Sequence, residues 1–130
     1  MLIYPAVDLT LASPSVAARP SAPLLRSARV HGFRDLYLGA GGLDPADPAV
    51  SPLHAPDHTD LAPALVVTTD LDPLEDDGVR YAEALRRAGV AVRYTCYHDV
   101  PHGFLSLPGP APMAHQGLAE VVQELRGALA

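Results

Sequence analysis

The sequence predicts the α/β class: an open sheet of three parallel strands with flanking helices. Three observations carry this. A short run rich in β-branched residues, Ala64-Leu65-Val66-Val67-Thr68, is followed by a helical periodicity. A second β run at 90–97 and a second helical periodicity then complete a strand-helix-strand-helix order, the alternation that parallel strands need because each must be reached by a crossover. A leading apolar run at 2–7 supplies a third strand to the same sheet.

The elements follow in order. The run at 2–7 ends at Asp8 and reads as a buried strand, which calls for neighbours on both sides; as the first strand of the chain it predicts one unpaired edge. The next fifty or so residues change character. Pro and Ser cluster at Ser13-Pro14-Ser15 and at Pro20-Ser21-Ala22-Pro23, and the first sustained periodicity is a helix over 30–38 with Phe33, Leu36 and Tyr37 on one face. Gly39 stops it, and Asp44-Pro45 and Asp47-Pro48 read as turns. After the strand at 64–68, Asp76 and Asp77 sit where a helix N-terminus favours negative charge. Tyr81, Ala84, Leu85 and Ala88 then recur at helical spacing, and Gly89 ends the helix. The strand at 90–97 carries Val92, Tyr94 and Cys96 on one face. Beyond a Pro-rich loop, Leu118, Val121, Val122, Leu125 and Leu129 predict a final amphipathic helix.

Composition bounds the function. At 130 residues, 48% hydrophobic and 18% charged, the chain suits one modest domain and not a disordered segment. A net charge of −6, with all nine basic residues Arg and no Lys, argues against binding to a phosphate backbone. One cysteine, Cys96, makes no internal disulfide and reads as a residue of the core. Neither a secretory signal nor a membrane span is predicted, so the expected location is the cytoplasm.

Two residues stand out chemically. Asp72 lies past the carboxyl end of the strand at 64–68, the edge where open α/β sheets place ligands and catalytic groups. A turn or helix cap explains Asp76 and Asp77, but Asp72 precedes the helix by several positions. His102 follows the next strand in Pro101-His102-Gly103-Phe104, on a backbone constrained by its neighbours. An acid and then a histidine at successive strand ends are of the right type, order and place for the second and third members of a Ser-acid-His triad.

The segments LIYPAVD, VSPLHAPD and LAPALVVTTDLDPLEDDGVRYAEALRRAGVAVRYTCYHDVPHGFLSL resemble the hormone-sensitive-lipase group of α/β-hydrolases, its carboxylesterase branch. The resemblance implies a partial α/β-hydrolase fold: a C-terminal part whose residues 8–62 form a cap-like helical insertion and whose residues 63–130 carry strand-helix-strand-helix. It implies hydrolysis of carboxylic esters of small or medium acyl chains through an acyl-enzyme. Asp72, in Asp-Pro-Leu, matches the orienting acid, and His102, in His-Gly-Phe, matches the general base. No cofactor or metal is implied, and the partner is a small ester substrate.

The sequence departs from that family in one respect. None of its six serines lies in Gly-x-Ser-x-Gly, and no His precedes the glycines at 39–42. The expectation is a chain without its own nucleophile or oxyanion hole, inactive unless an N-terminal half completes it, and prone to self-association through the open strand edge. The rival class is a catalytically inactive fragment or docking module. A remoter alternative reads Asp70 and Asp72 as the nucleophile and acid of a haloacid-dehalogenase-like phosphatase, whose later Lys is missing here. The pairs His54/His58 and His98/His102 have helical zinc spacing, but Pro56 and Pro101 fall inside them and speak against helix.

Overall fold

The computed structural model describes the backbone of residues 1–130 and every side chain except that of Ala40. Strands β1 (Leu2–Ile3), β2 (Ala64–Leu71) and β3 (Val92–Pro101) form one parallel sheet in that order. Leu2 pairs with Val66 and Ile3 with Val67; on the other side the register runs from Ala64 opposite Val92 to Thr69 opposite Tyr97. The central strand β2 is covered on both faces, and Val66 and Val67 are fully buried, which is why this stretch reads as a continuous apolar run.

Helices α1 (Pro14–Ala18) and α2 (Ser27–Leu38) lie between β1 and β2, α3 (Glu75–Arg87) connects β2 to β3, and α4 (Met113–Leu129) ends the chain. One face of the sheet packs Leu65, Val67, Tyr97, Val100 and Phe104 against Ala111 and Ala114 at the start of α4. A second cluster, Leu11, Val16, Leu25, Val30 and Leu74, ties α1 and α2 to the start of α3.

Five expectations are corrected. The first strand is Leu2–Ile3 and not 2–7: Tyr4 takes a left-handed φ of 49° after a last ladder bond from its N–H to the Val67 carbonyl, and Pro5 has no N–H to continue. The face of α3 that packs inward is Gly78, Ala82 and Leu85, and Tyr81, Ala84 and Ala88 are only half-buried. That rotation brings Asp77 fully inside. Phe33, Leu36 and Tyr37 of α2 face outward, at 59%, 81% and 68% exposure, and the helix packs through Val30 and Leu38 instead. On α4 the inward residues are the small Ala114 and Gly117, and Leu118, Val122, Leu125 and Leu129 lie exposed. Cys96 is likewise half-buried, its thiol 3.8 Å from Glu75 Oε1.

A polar clasp holds the segment after β1 onto α3. Asp77 Oδ2 accepts the N–H groups of Val7 (3.0 Å) and Asp8 (3.1 Å), and its Oδ1 accepts the Ser13 hydroxyl. Asp8 in turn accepts from Arg80 at 3.0 Å and from Thr10, and lies 2.9 Å from His54 Nε2. Ser15 reciprocates with Asp76, its N–H donating to that carboxylate at 2.7 Å, while its hydroxyl donates to the Pro73 carbonyl at 2.7 Å. Ser51 closes the far loop by accepting the Leu9 N–H and donating to the Pro45 carbonyl. The start of α3, and with it the turn that carries Asp72, is thereby fixed from several sides.

Candidate active site

Asp72 and His102 meet at the carboxyl edge of the sheet. The Asp72 carboxylate is 1% exposed, and its Oδ2 lies 2.7 Å from His102 Nδ1. Its other oxygen accepts the Leu74 N–H at 2.9 Å. That bond spans residue i to i+2 across Pro73, which has no N–H to compete, so the turn fixes one oxygen and aims the second at the histidine. In the neutral tautomer that donates from Nδ1 to Asp72, the lone pair is left on Nε2, the arrangement a general base needs.

A bulge brings His102 into place. Where β2 goes from Thr69 to Leu71, β3 goes from Tyr97 to Pro101, so extra residues bow out of the ladder. Asp99 takes a left-handed φ of 58°, and Asp70 Oδ1 accepts its N–H at 2.9 Å; the other Asp70 oxygen lies 3.3 Å from His98 Nδ1. Asp70 is thus a cap on the bulge, with both oxygens directed at β3. After His102, Gly103 turns the chain with φ 78°, a conformation that suits glycine, into a 3₁₀ turn at Phe104–Ser106. Phe104 is fully buried and anchors that turn.

Tyr4 completes the surroundings, and no local signal marked it, since 98 positions separate it from His102. Its ring centroid lies 5.0 Å from that of His102 and 5.8 Å from that of Phe104. Its hydroxyl accepts the Leu105 N–H at 3.2 Å. Burial pushes the Tyr4 phenol up to about 12, the Leu105 bond pulls the other way, and the Asp72 charge adds to the rise. A groove of about 420 Å³ opens beside His102, lined by Tyr4, Leu25, Val30, Phe33, Leu74 and Tyr37 among others.

The remaining histidines do not converge. His54 sits on Asp8, and His58 Nε2 lies 3.0 Å from the Pro52 carbonyl with its ring against Tyr81. Among the described residues, no cluster of three or more His, Cys, Asp or Glu side chains is placed to hold a metal ion. No described helix is long and apolar enough to cross a membrane.

A parallel sheet that presents an acid after one strand and a histidine after the next has the order of the last two triad positions of the α/β-hydrolase class. The family described as alpha/beta hydrolase fold matches residues 1–106, and the chain belongs to that family. Its relatives place it in the branch of carboxylic ester hydrolases and hormone-sensitive lipase. It is 38% identical over 128 residues to the carboxylic ester hydrolase LipN of Mycobacterium tuberculosis, covering 98% of this chain and 34% of that protein. To the hormone-sensitive lipase of Bos taurus it is 40% identical over 82 residues, 62% of this chain and 11% of the lipase. Among solved structures, a bacterial heroin esterase superposes with a TM-score of 0.91 at 31% identity, covering 99% of this chain and 42% of the esterase. The chain therefore spans about a third to two-fifths of the length of LipN and of the heroin esterase. Membership in this family leaves the phosphatase alternative without support, and Asp70 is engaged as a bulge cap.

Proposed function

We propose that this chain supplies the acid–base half of a serine esterase, with Asp72 as the orienting acid and His102 as the general base. The parent reaction is hydrolysis of carboxylic esters of small or medium acyl chains. The observation that carries the reading is the 2.7 Å contact between the buried Asp72 carboxylate and His102 Nδ1 at the carboxyl edge of the sheet. His102 Nε2 takes the proton of a serine hydroxyl as that oxygen attacks the ester carbonyl, then returns it to the leaving alkoxide. A water deprotonated by the same nitrogen then frees the acid from the acyl-enzyme. Asp72 holds the tautomer and stabilises the imidazolium that forms in each half. The apolar groove beside His102 suits the hydrocarbon part of the ester.

The serine and the oxyanion donors come, in this reading, from an N-terminal half, because these residues contain no Gly-x-Ser-x-Gly elbow. Residues 8–62 act as a cap-like insertion over the site, and 63–130 carry the acid and the histidine. Loss of the nucleophile costs about 10⁶ in turnover, and each missing oxyanion donor about 10²–10³. The isolated chain should then hydrolyse 4-nitrophenyl acetate no faster than a few surface histidines. A serine-directed phosphonate should leave its mass unchanged. Brisk hydrolysis blocked by a covalent phosphonate adduct on one of its own serines would overturn the division of labour.

A further inference from the structure

The geometry points to Tyr4 as a positioning residue for His102, bracing the imidazole through a ring-to-ring contact. This rests on the reading of His102 as a general base. Three observations converge on it. The Tyr4 ring lies against the His102 ring at 5.0 Å between centroids with the planes tilted by 50°, and it contacts Phe104 edge-on at 5.8 Å. Its hydroxyl accepts the Leu105 N–H at 3.2 Å, so one side chain touches the histidine and also pins the 3₁₀ turn that follows it. Its backbone is held at φ 49°, a strained conformation for a non-glycine residue, immediately before Pro5. Residues keep such strain where the surroundings demand a particular placement, and here the bend takes the chain off the edge of β1 and lays the ring on His102.

The Asp72 bond alone fixes one ring atom of the imidazole and leaves rotation about that contact free. A ring packed at a tilt against the imidazole restricts this freedom, and the tied Leu105 amide stops the turn from carrying His102 away. Tyr4 moves no proton in this role: the phenol, half-buried and pushed up to about 12, stays neutral across the working range of a histidine. Its service is preorganisation, keeping the base within the few tenths of an ångström that proton transfer requires.

The experiment is nitrogen-15 NMR of the histidine side chains in the full 130-residue chain, unsubstituted and carrying Tyr4→Leu, Tyr4→Phe or Asp72→Asn. In the unsubstituted chain the His102 Nδ1–H gives a downfield, slowly exchanging line that Asp72→Asn abolishes. Tyr4→Leu should speed exchange of that line about tenfold or more, while the buried amides of β2 stay protected. Tyr4→Phe keeps the ring and removes the hydroxyl, so it should retain the His102 line and speed exchange of the Leu105 amide about tenfold, the factor expected for loss of one ordinary hydrogen bond. An unchanged His102 exchange rate in Tyr4→Leu overturns the bracing role. Should Tyr4→Leu fail to fold, Tyr4→Phe decides: unchanged Leu105 exchange overturns the proposal, and accelerated exchange with β2 still protected supports it. Absence of an Asp72-dependent His102 line from the unsubstituted chain would instead sink the catalytic pair itself, an outcome distinct from failure of Tyr4 alone.

Discussion

Two buried aspartates a few ångströms apart are shifted in opposite directions from the ordinary carboxylate value, because their partners differ. At Asp8 burial is the largest influence and raises the carboxyl, but the bonds from Thr10, His54 and Arg80 outweigh it, and the net shift is downward. At Asp77 burial is again the largest influence and prevails over Ser13 and the amides of Val7 and Asp8, so the carboxyl is held above its ordinary value. The signs follow from proton binding. Asp8 contributes stability that is present above the unfolded value of 3.8 and lost as pH falls through its lower folded value. Asp77 contributes stability that is present below 3.8 and lost as pH rises through its higher folded value. Asp77→Asn can still accept the Val7 and Asp8 N–H groups through its amide oxygen, but it no longer titrates. Urea unfolding from pH 3 to 7 should show the stability of the unsubstituted chain declining relative to Asp77→Asn as pH rises from about 4. Parallel profiles would contradict this reading of Asp77. Asp77→Ala strands two buried amides and a hydroxyl, at about 1–3 kcal/mol each, and should be among the most damaging substitutions in the chain.

At the scale of elements, close packing depends on a glycine. A Cβ at Gly78 of α3 would collide with Thr68 Cγ2 of β2, a short β-branched side chain in a rigid strand, and would meet Pro5 as well. Gly78→Ala should push α3 off the sheet and cost about 1–3 kcal/mol, readable as a lowered melting temperature. Gly32 of α2 faces open space, so Gly32→Ala should stabilise by up to about 1 kcal/mol through helix propensity alone. Equal effects at the two sites would show that the helix–sheet contact does not set the cost.

The elements also show what was legible. The alternation of β2, α3, β3 and α4 is written in local periodicity, and all four appear in the expected order, though their ends shift. Strand β2 runs on to Leu71 and β3 to Pro101, because Asp70 caps a bulge that keeps the two strands paired past an irregularity no apolar pattern displays. The strand at 2–7 is cut short at Tyr4, whose backbone bends for a contact made about a hundred residues away. The exposed stripe on α2 is real in its spacing, and periodicity locates a stripe without saying what covers it. The meeting of Asp72 and His102 was legible because motif, order and strand end coincide. Tyr4 and the Asp8–Asp77 clasp were not, since long-range polar pairing leaves no local trace.

As a whole molecule, the chain carries more apolar surface than its own folding covers. Both outer strands have a free edge, and Leu118, Val122, Leu125 and Leu129 lie exposed on α4. Open edges and apolar stripes of this kind favour association. Sedimentation velocity should therefore show dimers or larger species, and the double substitution Leu118→Glu with Leu125→Lys should shift the distribution toward monomer. A sharp-melting monomer at all concentrations would indicate a self-sufficient fold.

Hydrolysis of 4-nitrophenyl acetate by this chain mixed with the N-terminal half of a close relative tests most directly whether Asp72 and His102 form a working acid–base pair. Activity should appear on mixing, fall by about 10⁴ with Asp72→Asn, and fall by about 10⁶ with His102→Ala. Restored activity that survives both substitutions undiminished would contradict the assignment of this pair.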